Sequence, residues 1–290
     1  MDVLRERFSL SRPLLPVLLV SSLGACMPPS WGAGALLHPG KTVAADRLSP
    51  AHETLWFDGS GVRLKGWWFR TPKPRRGTIV YLHGVADNRG SGAGIGEHFV
   101  SRGFDVIAYD SRAHGESEGN ACTYGYYEKV DLSRVLDKVS GPGPIVLLGT
   151  SLGAAVALQA AADDDRIGVV VAAETYADLR TVASGRAPFF ASKGNIENAF
   201  RLAENEAKFK VDDVSPVAAA AKIRIPVLII HGEADTETPS SHSVRVHAAL
   251  AGPKKLILVP RAGHNGSLTG DTWKAIDVWI ENWVGQSERK

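Results

Sequence analysis

Residues 145–158 read IVLLGTSLGAAVAL, and their two halves obey different rules. The first half is a short β-branched apolar run of strand length, and the second is an Ala- and Leu-rich segment with strong helix propensity. Between them stands Gly149-Thr150-Ser151-Leu152-Gly153, a GxSxG. A buried strand that turns at once into a helix holds the intervening serine oxygen beyond the end of the sheet. The flanking glycines allow the backbones to approach closely there, and the helix N-terminus favours negative charge developing nearby. Ser151 is therefore the candidate nucleophile.

Similar runs recur along the chain. TIVYLHG (78–84), DVIAYD (105–110), PIVLLG (144–149), IGVVVAA (167–173), PVLIIHG (226–232) and KLILVP (255–260) are separated by segments of helical spacing. Strands that are apolar throughout belong to a parallel sheet covered on both faces. ETLWFD and VRLKGWWF, around Gly59-Ser60-Gly61, read as a β-hairpin at the sheet edge. The fold class is α/β with a mainly parallel central sheet, in one domain without internal repeats. A second GxSxG, Gly115-Glu116-Ser117-Glu118-Gly119, lies in a loop. There the two glutamates would repel an alkoxide, so Ser117 is not expected to be a nucleophile.

A nucleophilic serine needs a base, and the base needs an orienting acid. VPRAGHNGS places His264 in a Gly-flanked loop after the last strand, and IIHGEADTETP places Asp235 after the strand before it. The order Ser151, Asp235, His264, together with LHGVADN, YDSRAHGESEG, DVSPV, HGEAD and AGHN, resembles the α/β-hydrolase family, serine-hydrolase branch, over about residues 53–285. The resemblance implies an oxyanion hole formed by the backbone N–H groups of Val85 and Leu152, and no cofactor. Glu174, at the end of IGVVVAA, is the second candidate for the acid. His83 is expected to order its loop, His114 to be structural and His231 to pack at a strand end. Asp163-Asp164-Asp165 reads as a solvated helix end, and no metal site is expected.

Residues 175–215 form a connection longer than usual, containing Tyr176, Phe189, Phe190, Phe200 and Phe209. The family often carries a cap at this place. A small helical lid is expected, with Tyr176, Phe189 and Phe190 lining a substrate pocket, against the alternative that the aromatics only pack the insertion onto the sheet. The implied reaction is acyl transfer from a small-molecule or lipid ester to water. Thioester and amide substrates use the same constellation and stay open. A non-catalytic, ligand-binding lipoprotein is the reading from another class, disfavoured because the three triad residue types and the loop glycines occur together.

The chain has 290 residues, 44% of them apolar, enough for one large core. Its net charge of +2 gives no basic excess for nucleic acid, and no protein partner is implied. The two cysteines, Cys26 and Cys122, form no metal-ligand pattern, although a single disulfide between them remains open. Cys26 has a further use. Arg5, Arg7 and Arg12 precede the apolar run PLLPVLLVSSL, which is too short to span a bilayer. Leu23-Gly24-Ala25-Cys26 then resembles the lipobox of bacterial lipoproteins, with cleavage after Ala35 as the rival. The expected organisation is a signal peptide over 1–25, a lipidated Cys26 with a flexible, Pro/Gly/Ala-rich tether over 26–50, and the hydrolase domain over 51–290. By that resemblance the protein is lipid-anchored in the cell envelope: outer membrane or periplasmic face, or the extracellular face in a single-membrane bacterium. With the tether outside the sheet, a chain starting at Ala51 is expected to be as active as the anchored form.

Overall fold

The computed structural model describes residues 28–45 and 51–287. Eight strands form one sheet in the order β1-β2-β4-β3-β5-β6-β7-β8. β1 (Glu53–Asp58) and β2 (Arg63–Phe69) are the hairpin at one edge, and β2 joins β4 (Phe104–Tyr109) antiparallel. From there β3 (Gly77–Leu82), β5 (Ile145–Thr150), β6 (Ile167–Ala173), β7 (Val227–Gly232) and β8 (Lys254–Val259) run parallel. The expected α/β architecture and its edge hairpin are both present.

The continuous apolar strands are explained by burial on both sides. Along β3 and β5, Val80, Leu82, Ile145 and Leu147 enter one core, while Ile79, Tyr81, Val146 and Leu148 enter the other. The first core is closed by α3 (Glu128–Leu136), α4 (Leu152–Ala161), α7 (Pro216–Ala220) and α8 (Ser241–Ala249), and the second by α2 (Ala93–Val100) and α9 (Gly270–Ser287). After β3 the chain moves to β4 on one side, then returns to β5 on the other. Such a reversal opens a crevice beyond the C-terminal strand ends, the usual ligand position in open α/β sheets.

The insertion between β6 and β7 carries α5 (Leu179–Gly185) and α6 (Lys193–Ala207), each opened by a side-chain cap, Asp178 to the Thr181 amide and Ser192 to the Asn195 amide. It forms a third core with Tyr176, Phe200, Phe209, Val211 and Val214. Here one expectation is overturned. Residues 29–37 are not a flexible tether but helix α1 (Pro29–Leu37), whose Ala33 and Leu37 are buried in that third core beside Phe200 and Ala203. Proline suits the first turn of a helix, and Ala33 and Leu37, four apart, share one face. Gly32 permits the closest contact, since a Cβ there would stand 2.9 Å from the Cβ of Ala199 on α6. The Leu37 carbonyl accepts a hydrogen bond from the Cys122 amide, and His38 bonds Asn120 and Glu206. The folded unit therefore begins before residue 51. The expected signal segment and Cys26 lie outside the described residues; Cys122 is a buried free thiol.

Candidate active site

β5 ends at Thr150 and α4 begins at Leu152, leaving Ser151 alone to make the turn, with φ +49° and ψ −111°. That is a strained backbone for an L-residue, held in place by its surroundings. The Ser151 amide donates to Ala173 O of β6, and its carbonyl accepts from Ala155 within α4. A Cβ on Gly153 would stand 2.0 Å from Leu82 O, and one on Gly149 would stand 2.4 Å from the backbone of Gly153. Only glycine fits either place, so both glycines of the motif are requirements of the turn.

The Ser151 hydroxyl donates to His264 Nε2 at 3.1 Å, and His264 Nδ1 donates to Asp235 Oδ2 at 2.7 Å. His264 stands in the loop after β8 and Asp235 in the loop after β7, so the three side chains converge from three strand ends. Asp235 is held from all sides. Its Oδ1 accepts the amides of Glu237 and Thr238 at 2.9 and 2.8 Å, and its Oδ2 also accepts His231 Nε2 at 3.1 Å. Burial alone would raise this carboxyl. The Thr238 amide, the His264 hydrogen bond and the nearby imidazoles outweigh it, so Asp235 stays below the usual carboxylate range and ionised.

His231 does more than pack at a strand end. Its Nε2 also donates to Thr238 O at 2.7 Å, and its Nδ1 is hydrogen-bonded to Ser243 Oγ at 2.6 Å. His231 thus braces the Asp235 loop from behind. Glu174, the other candidate acid, points elsewhere. With φ +58° it accepts the amides of Asn265 at 2.6 Å and Ser267 at 3.0 Å, fastening the loop that carries His264. Neither role could be read from spacing, because both depend on backbone partners distant in sequence.

Gly84 and Val85 follow β3. A Cβ on Gly84 would be 3.7 Å from the Ser151 Cβ, so this loop runs directly beside the serine, while Leu152 opens α4 on its other side. His83 sets the loop: its Nδ1 donates to Gly84 O at 2.7 Å and its Nε2 accepts from the Ser111 amide at 3.0 Å. Burial pushes its pKa down, consistent with the neutral form these bonds require. Ser117 is buried away from this chemistry, donating to Asp110 O and accepting from the Lys65 amide. Its glutamate neighbours pair with Lys65, Arg89 and Arg63.

A cavity of about 460 Å³ opens between α1, the α5–α6 cap and the Val85 loop. Its lining corrects the expected pocket. Phe189 and Phe190 lie in the turn between α5 and α6, packed edge-to-face with ring centroids 5.3 Å apart, with Phe189 99% exposed and Phe190 41%. Tyr176 is buried under the cap, its hydroxyl donating to Tyr124 O. The apolar walls instead come from α1, α5 and α6. Among the described residues, no three His, Cys, Asp or Glu side chains are grouped to hold a metal ion, and no helix is long and apolar enough to cross a membrane.

A parallel sheet with a serine at a strand-to-helix turn, and an acid and a histidine on the loops after the last two strands, defines the α/β-hydrolase class. Comparison with known proteins agrees. A family model described as alpha/beta hydrolase fold matches residues 77–193, and one described as prolyl oligopeptidase family matches residues 138–287. The chain is 31% identical over 243 residues to uncharacterized protein YqkD of Bacillus subtilis, covering 79% of this chain and 78% of that one. It is 30% identical over 214 residues to uncharacterized protein YfhR of Escherichia coli K12, covering 70% of each. The chain belongs to the alpha/beta hydrolase family. Among solved structures, the esterase Pf2001 of Pyrococcus furiosus superposes with a TM-score of 0.68 at 23% identity, covering 85% of this chain and 99% of that one.

Proposed function

We propose that the protein is a serine hydrolase that cleaves an ester-type bond through an acyl-enzyme. The observation that carries this reading is the continuous hydrogen-bonded line from Ser151 through His264 to the ionised Asp235, built at a strained turn. His264 takes the Ser151 proton as the oxygen attacks the substrate carbonyl, and Asp235 stabilises the imidazolium. The backbone amides of Val85 and Leu152 receive the oxyanion, a contribution worth roughly 3–4 kcal/mol per donor in comparable sites. His264 then protonates the leaving alcohol and activates water to release the acyl group.

An ester is favoured because it demands least of the leaving group. The match of residues 138–287 to the prolyl oligopeptidase family keeps an amide substrate as a second reading. A screen of p-nitrophenyl acyl esters against thioester and peptide amide comparators tests the choice: ester turnover at least a hundredfold above the comparators supports the esterase, and the reverse order supports the peptidase. We further propose that Cys26, preceded by Leu23-Gly24-Ala25, carries the lipid that anchors the enzyme in the cell envelope. Membrane fractionation of Cys26→Ala tests this. Retention in the membrane by a protein cleaved elsewhere would contradict it.

A further inference from the structure

We propose that the cavity between α1 and the cap holds the hydrocarbon chain of an acyl ester, so that the N-terminal helix is a wall of the substrate site. The proposal rests on the serine-hydrolase reading and names the substrate class for the same site.

Position is the first argument. Val85 lines the cavity, and its neighbour Gly84 lies against Ser151. An ester carbonyl at Ser151 with its oxygen toward the Val85 amide therefore has this cavity open beside its acyl carbon. Chemistry is the second. One wall is Trp31, Gly32, Ala35 and Leu36 of α1; the facing wall is Val182, Ala183, Ile196 and Phe200 of the cap. The one charged group of the lining, Arg186, is engaged elsewhere, donating to Glu237 O at 3.0 Å and Thr238 Oγ1 at 2.7 Å. Besides Arg186 the lining holds two polar side chains, Asn195 and Tyr124, in an otherwise apolar surface. A sugar or a peptide backbone entering here would therefore give up water for few hydrogen bonds, whereas a hydrocarbon chain gains by burial.

Size is the third. Pockets for small ligands run from roughly 300 to 1,000 Å³. At roughly 30 Å³ per water-sized group, 460 Å³ takes on the order of ten methylenes with space to spare. Trp31, 65% exposed, and Pro188 are also in the lining. α1 supplies one whole wall of this cavity, facing the cap.

The test narrows the cavity from each wall separately, with Ala35→Phe on α1 and Ala183→Phe on α5. Hydrolysis of p-nitrophenyl acetate and decanoate by the purified full chain is compared, with diisopropyl fluorophosphate labelling of Ser151 as the readout of the chemical machinery. The wild type should prefer the decanoyl ester. Each substitution should lower the decanoyl-to-acetyl ratio of kcat/KM at least tenfold, with Ser151 still labelled. Ratios within twofold of wild type in both variants, with labelling and acetyl turnover intact, would overturn the cavity assignment and leave the serine-hydrolase reading standing. A wild-type protein that is neither labelled nor turns over any ester would refute that reading, and this assignment with it.

Discussion

Leu37→Ala tests whether α1 is docked as described. Leu37 is fully buried in the cap core, so the substitution removes three buried carbons. At about 0.8 kcal/mol per methylene this is roughly 2–3 kcal/mol, and the void left behind brings Leu→Ala changes into the range of about 2–5 kcal/mol. The Leu37 side chain belongs to the third core and to neither core of the sheet, so the loss should fall on local opening of this unit more than on global unfolding. Hydrogen exchange read by mass spectrometry on peptides covering 29–37 and 193–207 isolates it. A loss of about 3 kcal/mol speeds exchange there by about a hundredfold, at about 1.4 kcal/mol per factor of ten. Peptides over β5 should be unchanged. Exchange within about threefold of wild type over 29–37 would refute the docking, and the wall assigned to α1 with it.

The acid is separable from its neighbour. Asp235→Asn should lower kcat by about 10⁴, as neutralising a triad acid does elsewhere, while Glu174→Gln, which loosens only the amides after His264, should cost about tenfold in steady-state ester hydrolysis. His114 predicts an acid limb of stability. Burial, reinforced by neighbouring His83, lowers its pKa from 6.5 to about 4, so its contribution is complete above pH 6.5, shrinks as pH falls and is gone below about 4. Urea denaturation of His114→Asn should therefore show roughly 3 kcal/mol less stability loss between pH 7 and 4 than wild type, and equal losses would contradict the assignment. Phe189→Ala with Phe190→Ala should leave the acyl-length preference within twofold, because neither ring lines the cavity.

The sheet was legible because its strands are short apolar runs punctuated by Gly, Pro and Asp, and parallel strands buried on both faces look like that and little else. Ser151, Asp235 and His264 were legible because each sits on the loop after a recognisable strand. Helix α1 was not. PSWGAGALL has the small residues and glycines of a linker, and its helix is held by tertiary contact more than by its own propensity. Gly32, which makes the stretch look flexible, is the residue that lets α1 lie against Ala199. Phe189 and Phe190 misled for the opposite reason. Aromatic character marks a pocket lining only when the chain turns it inward, and these two rings sit on an exposed turn. Consequently the expectation that a chain starting at Ala51 keeps full activity is withdrawn: it would lack α1 and leave the cap core open.

The central claim is that Ser151 is an activated nucleophile, and active-site titration with a fluorophosphonate tests it most directly. Wild-type protein, Ser117→Ala and Ser151→Ala are treated in parallel, and the adduct is located by peptide mass spectrometry. Wild type and Ser117→Ala should each take up one equivalent on the peptide containing Ser151, and Ser151→Ala should take up none. Stoichiometric labelling of Ser151→Ala, or an adduct on Ser117 in the wild type, would contradict the account.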